Sequence, residues 1–352
     1  MLKSTHVVTT PSVKRLLKLW ALRYKTDLSS PLLSQESSIG SLLQTASPSG
    51  RAKTTAKLKD KLLNVNSQMA WIQTKSLYNY LPNVLDFTEA KKITESAFIL
   101  YKDLLSIYEK QLLRDDLFTI KLLQTVNKFE HSYIDEFKII KIEELAYALE
   151  PILIAFQEQQ MACKDWRTLG FMTTQLRFTN KLILNKVTQE EKLLLSPYLK
   201  FVEEQISIPW QRVCVASANH DLDSPVLTLV EQMLPLAEEI SQTVYHTIVE
   251  SFPDYRSRSG FLNNPNVAQS SIRDLTMFQA YLWLCVLEQS LVPVEELVDL
   301  CFMVMEKVDV KWGVLQKWNQ LLMDEVINRV NPEQKAILLP YTQGMQKAFA
   351  FE

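Results

Sequence analysis

The sequence predicts an all-α fold, a multi-helix bundle, and three observations carry that expectation. Apolar residues recur at helical spacing along most of the 352 residues, and period-two alternation never lasts more than a few residues. Glycine is scarce, with 6 residues where ~7% is usual. They are Gly40, Gly50, Gly170, Gly260, Gly313 and Gly344, no two within five residues of each other. No GxGxxG turn, phosphate loop or nucleophile elbow can be assembled from them, which excludes the nucleotide-binding α/β classes. Third, prolines and capping residues mark the breaks between apolar stretches.

Taking the elements in order, Thr10-Pro11 is a capping residue followed by a proline suited to a first helical position. Val13, Leu16, Leu17, Trp20 and Tyr24 then follow at i, i+3, i+4, i+7 and i+11, one apolar stripe. Lys14, Arg15, Lys18, Arg23 and Lys25 surround it. A basic amphipathic helix of this kind can pack on its own body, dock on a partner, or lie peripherally on an anionic membrane. Residues 28–56 are rich in Ser, Thr and Pro and read as a linker with a short helical turn at Ile39–Leu43. Residues 1–65 hold eleven Lys/Arg and three Asp/Glu; the rest of the chain holds 27 and 37. A flexible basic N-terminal arm on an acidic body is therefore expected, and nucleic acid is an alternative partner for it.

From Lys57 onward helices are expected near 57–81, 88–112, 115–138, 142–161, 164–186 and 189–206. Asp86-Phe-Thr-Glu89 supplies one start, and Pro82, Pro151 and Pro197 mark starts or breaks. Phe137–Ile142 is the one stretch that could be a strand. Pro209 opens a segment ending near Asn219. Ser224-Pro225 opens a long helix to about Ser251, with a kink or break at Pro235. Residues 253–270 read as a polar loop, followed by helices near 271–290, 294–307, 310–330 and 332–350. The expected domains are 1–56, the basic arm and Ser/Thr/Pro-rich linker; 57–160, an N-terminal helical domain; and 161–352, a C-terminal helical domain.

Chemistry-bearing groups are sparse. The four cysteines, Cys163, Cys214, Cys285 and Cys301, have no CxxC spacing and read as small buried hydrophobes in a reducing, cytoplasmic setting. The apolar run around Tyr281–Leu287 is far short of the ~20 residues of a membrane-crossing helix. His131/Asp135 and His246/Glu250 are i,i+4 pairs that read as surface ion pairs. Asp221 and Asp223, beside His220, read as helix caps before Pro225. Trp166-Arg167, Trp210-Gln-Arg212 and Lys311-Trp312 pair aromatic with basic residues, most simply as core rings covered by a basic side chain's stem. No catalytic, cofactor or metal set emerges. The stretch that reads as functional is 253–273: Arg256, Arg258 and Arg273, with Asp274, stand among serines and asparagines and suit an anionic group.

Residues 271–296, SIRDLTMFQAYLWLCVLEQSLVPVEE, resemble the phycobiliprotein family, the globin-like bilin carriers of cyanobacteria and red algae. The resemblance rests on Arg273-Asp274-Leu275, on Phe278 and Tyr281, on Pro293-Val-Glu-Glu296, and upstream on Glu250–Asp254, within Leu229–Val326. It implies a globin-like C-terminal part, with Asp274 facing pyrrole N–H groups and Arg273 a propionate. The family's bilin-attaching cysteine falls on Ser271, which cannot form the thioether, so no covalent bilin is implied. Residues 165–178 and 195–214 also resemble cyanobacterial helical proteins. These readings together lead to a non-enzymatic interaction or regulatory protein without cofactor. It would act on a protein partner through helix faces, the arginine loop and the basic arm, in a cyanobacterial light-harvesting or regulatory setting. The alternatives are a DNA-associated regulator and a tetrapyrrole or other small-molecule sensor.

Overall fold

A computed structural model describes residues 10–24, 36–59, 61–78, 87–110, 145–153, 167–258, 260–305 and 308–350. These residues are almost wholly helical, as expected, and the only strands among them are two of two residues each. They form two compact units. One is the contiguous stretch Tyr24–Ile206; the other joins Met1–Arg23 to Ser207–Glu352. The compact units therefore divide at 23/24 and 206/207. The expected boundary at 56/57 falls within a helix, and that at 160/161 lies outside the described residues, as do His131, Cys163, Trp166 and Phe137–Ile142.

The discontinuous unit begins with α1 (Pro11–Ala21), which starts where cap chemistry placed it: Pro11 is at N1 and the Thr10 hydroxyl accepts the Val13 N–H at 3.3 Å. Val13, Leu16, Leu17 and Trp20 are fully buried. Trp20 stacks on Trp210 with centroids 4.1 Å apart and planes 9° off parallel. For residues 10–23 the expectation of a flexible arm is corrected: they belong to a core, because the four large apolar side chains Val13, Leu16, Leu17 and Trp20 gain more by burial than by solvation. The helix packs on α8 (Trp210–Ser217) and α9 (Pro225–Met233).

A 3-10 turn at Leu234–Leu236 carries Pro235 and leads into α10 (Ala237–Ser251), so the proline break appears where it was expected. The strands β1 (Arg256–Ser257) and β2 (Gly260–Phe261) pair antiparallel as a hairpin. Then comes α11 (Pro265–Glu288), whose residues Ala280–Leu287 are all buried. A helix apolar on every side must be central, and α11 packs against α8, α9, α10, α12 (Val292–Met305) and α14 (Pro332–Phe349). Between the last two lies α13 (Trp312–Asn328), packed on α10 and α14. A capping box starts α14: Asn331 accepts the Gln334 N–H at 2.9 Å and Gln334 accepts the Asn331 N–H at 3.2 Å.

The contiguous unit contains α2 (Glu36–Ala46), α3 (Pro48–Leu58), α4 (Lys61–Tyr78), α5 (Phe87–Lys110), a helical segment at 145–153, α6 (Arg167–Leu184) and α7 (Gln189–Ser207). The stretch expected to be a linker is thus largely α2 and α3. Its Ser and Pro residues are caps: the Ser47 hydroxyl accepts the Gly50 N–H at 3.1 Å, with Pro48 at N1. Gly50 is also a point of close approach, since a Cβ there would lie 2.5 Å from the Thr45 carbonyl oxygen. Arg51 is buried, donates to the carbonyls of Ala46 at 3.0 Å and Tyr108 at 3.2 Å, and lies over the Tyr108 ring. It thereby satisfies orphan carbonyls at the ends of α2 and α5. The helix expected near 189–206 is α7, and Pro197 is inside it, marking neither a start nor a break.

Candidate functional site

The hairpin is built by short-range bonds. The Ser257 hydroxyl donates to the Gly260 carbonyl at 3.1 Å, and the Leu262 N–H donates to the Tyr255 carbonyl at 3.3 Å. Gly260 has φ +125°, where a Cβ is strained, so glycine is required at that position. Antiparallel register pairs Arg256 with Phe261. Residues opposite one another share a face, and the Arg256 guanidinium lies 5.4 Å from the Phe261 ring centroid. The alternate face holds Ser257, which is buried; Arg258 is exposed at the turn.

The hairpin is anchored, not hanging. Tyr255 Oη donates to the Asp309 carbonyl at 3.1 Å and accepts the Lys311 N–H at 2.7 Å. The Arg258 backbone N–H donates to the Val308 carbonyl at 3.0 Å. From below, the Tyr245 hydroxyl donates to the Leu262 carbonyl. The anchoring strip 308–311 has Asp309 in the left-handed region at φ +58° and ends at Trp312, the first residue of α13. Phe302 stacks on Trp312 with centroids 4.1 Å apart and planes 8° off parallel. The stack continues inward through Phe349, 5.6 Å from Trp312, to Phe278, 5.4 Å further on.

Arg256 and Arg258 are thus held together on one exposed turn. Arg273 is not on it. The last long loop ends at Asn264, six residues earlier than expected, and α11 starts at Pro265, so Arg273 and Asp274 are in a helix interior. There Arg273 binds its own neighbour, with Nε 3.1 Å and Nη2 2.7 Å from Asp274 Oδ1. Asp274 therefore has no role at a helix start, and Ser271 is buried. Among the arm cations, Lys14 and Lys18 are exposed, while Arg15 pairs with buried Glu231 and donates to the Leu222 carbonyl at 3.1 Å. The Arg23 guanidinium lies 4.6 Å from the Trp20 ring centroid; Lys25 is outside the described residues.

One ring nitrogen of His220, Nε2, is 2.7 Å from the Leu287 carbonyl near the end of α11, and His246 is exposed on α10. Asp221 and Asp223 are exposed and do not cap α9, whose N-cap Ser224 makes no side-chain cap bond. Burial raises the thiol pKa of Cys214, Cys285 and Cys301, that of Cys285 to about 12. Such thiols are poor nucleophiles at neutral pH. Among the described residues no group of three His, Cys, Asp or Glu could hold a metal ion.

Three groups escaped the sequence reading. Arg212, noticed only as a neighbour of Trp210, is buried, with two 2.7 Å bonds to Glu288 and one of 2.5 Å to Glu296, tying α8, α11 and α12 together. Tyr255 and Phe302 had no sequence signal beyond residue type, and Trp312 was noticed only as a neighbour of Lys311. No protein-family model, curated protein or solved structure matches the chain.

Proposed function

We propose that this is a non-enzymatic interaction protein that captures an acidic protein segment on the Arg256–Arg258 hairpin. The observation that carries the reading is the Arg256–Phe261 pair, exposed on a hairpin tied by hydrogen bonds to the 308–311 strip and to Tyr245. Arginine and aromatic side chains dominate protein interfaces because they combine contact area with directed hydrogen bonds. A hairpin already held in place loses little conformational freedom on binding. The arm cations support this surface less well: their helix turns its apolar stripe inward, and Arg15 already has a carboxylate.

The test is binding of fluorescent poly-glutamate to the full chain at low salt. Arg256→Glu with Arg258→Glu weakens binding about tenfold or more, since each reversal replaces an attraction by a repulsion worth about 1 kcal/mol. Helical circular dichroism stays unchanged. Equal binding by the double variant rejects the surface; loss of helicity shows the arginines to be structural.

A further inference from the structure

Along α4 the usual order of an amphipathic helix is inverted. The face turned into the contiguous unit, where α4 packs on α3, α5 and α6, is formed by Leu63, Asn66, Ser67, Ala70 and Thr74, all buried. Most of these are polar. Larger apolar side chains point the other way: Val65 is 43% exposed, Met69 44% and Ile72 59%. A surface helix normally turns such side chains inward. Single exposed apolar residues are ordinary, but these form a row. Their spacings of four and three residues, continued by exposed Ser76 after another four, follow the period of a coiled-coil seam. A face with that period fits another α-helix laid along it.

The charges decide which helix. Of the 18 residues of α4 only Lys61 and Lys75 are charged. Lys61 precedes the row, and Lys75 leans away from it, with Nζ 5.5 Å from the Trp71 ring centroid. Asn64 and Gln68 border the row on one side and Gln73 on the other, all exposed and uncharged. An acidic or a basic partner finds no counter-charge there, and its own charges would lose water without compensation. A second copy of the same face carries no such cost. Apolar row meets apolar row, and carboxamides, which hold both a donor and an acceptor, bond to their own kind. Gln68 Nε2 already donates to Asn64 Oδ1 at 3.1 Å, and the pair still offers the Gln68 oxygen and the Asn64 amide nitrogen outward. Self-complementarity of this sort is what a two-fold interface requires, because both subunits use the same patch. We infer that two copies of this chain associate through the outward faces of their α4 helices. Met69, midway along the row, lies against its own counterpart whether the helices run parallel or antiparallel. The row from Val65 to Ser76 is only about 16 Å long, so the association is reversible and concentration-dependent.

The experiment is sedimentation velocity of the full chain over a concentration series, at low and at high salt. A monomer–dimer shift that persists at high salt is expected, since no ion pair holds this face. Ile72→Glu and Val65→Glu each weaken dimerisation about tenfold or more, as an apolar contact gives way to a charge that must lose water. Helical circular dichroism stays unchanged in both, because each residue is exposed in the single chain. Met69→Cys gives a disulfide-linked dimer under mild oxidation, whereas Lys53→Cys, exposed on α3, does not. This cross-link decides the matter independently of the charged variants. A chain that is monomeric at every concentration, with no Met69→Cys dimer, overturns the inference. So does a dimer that ignores Ile72→Glu and Val65→Glu, or one that is lost instead in Arg256→Glu with Arg258→Glu. Monomers that co-sediment with phosphatidylcholine vesicles, and cease to do so in Ile72→Glu, overturn it in favour of a lipid surface.

Discussion

Single residues decide how tightly the helices approach. A Cβ at Gly50 would meet the carbonyl oxygens of Gln44 and Thr45, whereas one at Gly40 meets nothing within 4 Å. Gly50→Ala is therefore expected to destabilise by about 1–3 kcal/mol, as overpacking does. Gly40→Ala, on an exposed helix position, is expected to gain about 0.5–1 kcal/mol; urea unfolding separates the two. Both glycines looked alike in the sequence, because composition cannot distinguish freedom from close approach. Arg212 was unreadable for a similar reason, since its carboxylates lie 76 and 84 residues away. Arg212→Met removes the guanidinium that Glu288 and Glu296 share and costs about 3–5 kcal/mol. Adding Glu288→Gln and Glu296→Gln recovers part of that loss.

Glu191 supplies a pH dependence with a defined sign. Burial raises its pKa, but the Lys57 ammonium at 2.9 Å, the Thr188 N–H at 2.7 Å and the Thr54 hydroxyl at 3.1 Å outweigh this, and the result lies below the ordinary 4.5. A carboxyl whose pKa is lower folded than unfolded contributes stability that is present above the unfolded value. That contribution is lost as pH falls through the folded one. Stability against urea should therefore decline below about pH 4.5, and Glu191→Gln should flatten that part of the profile. An acid limb of unchanged steepness contradicts the assignment.

Among the elements, α1 carries the clearest expectation. Trp20→Ala removes a fully buried ring from the stack on Trp210 and is expected to cost about 3–5 kcal/mol. Lys14→Glu and Lys18→Glu, both exposed, should move stability by less than about 0.5 kcal/mol. The stripe of α1 was legible, and so were its cap, the break at Pro235 and the starts at Pro225 and Pro332, because each depends on a few adjacent residues. What covers the stripe was not legible, since an amphipathic face names no partner. The linker reading failed because serine and proline mark helix starts as well as loops, as Ser47-Pro48 shows. The hairpin was missed because two-residue strands are too short to show alternation. The start of α11 at Pro265 was signalled by Asn264-Pro265, but that pair lay within a run read as loop. Of the site, the sequence isolated Arg256 and Arg258. Arg273 was grouped with them by proximity in the chain, and a helix start placed too late hid its separation.

At the scale of the whole molecule, one unit is assembled from two distant stretches, Met1–Arg23 and Ser207–Glu352. A fragment of residues 207–352 exposes Trp210 where Trp20 should stack, and a peptide of residues 10–24 added in trans should raise its melting temperature in a concentration-dependent way. A peptide with Trp20→Ala should not. The central claim, that partners are captured at the anchored hairpin and not along α1, is tested most directly by hydrogen–deuterium exchange of the full chain with and without poly-glutamate. Slower exchange in residues 255–262 and 308–312, with residues 11–24 unchanged, is the predicted result. Slowing confined to residues 11–24, with the hairpin unaffected, would contradict it.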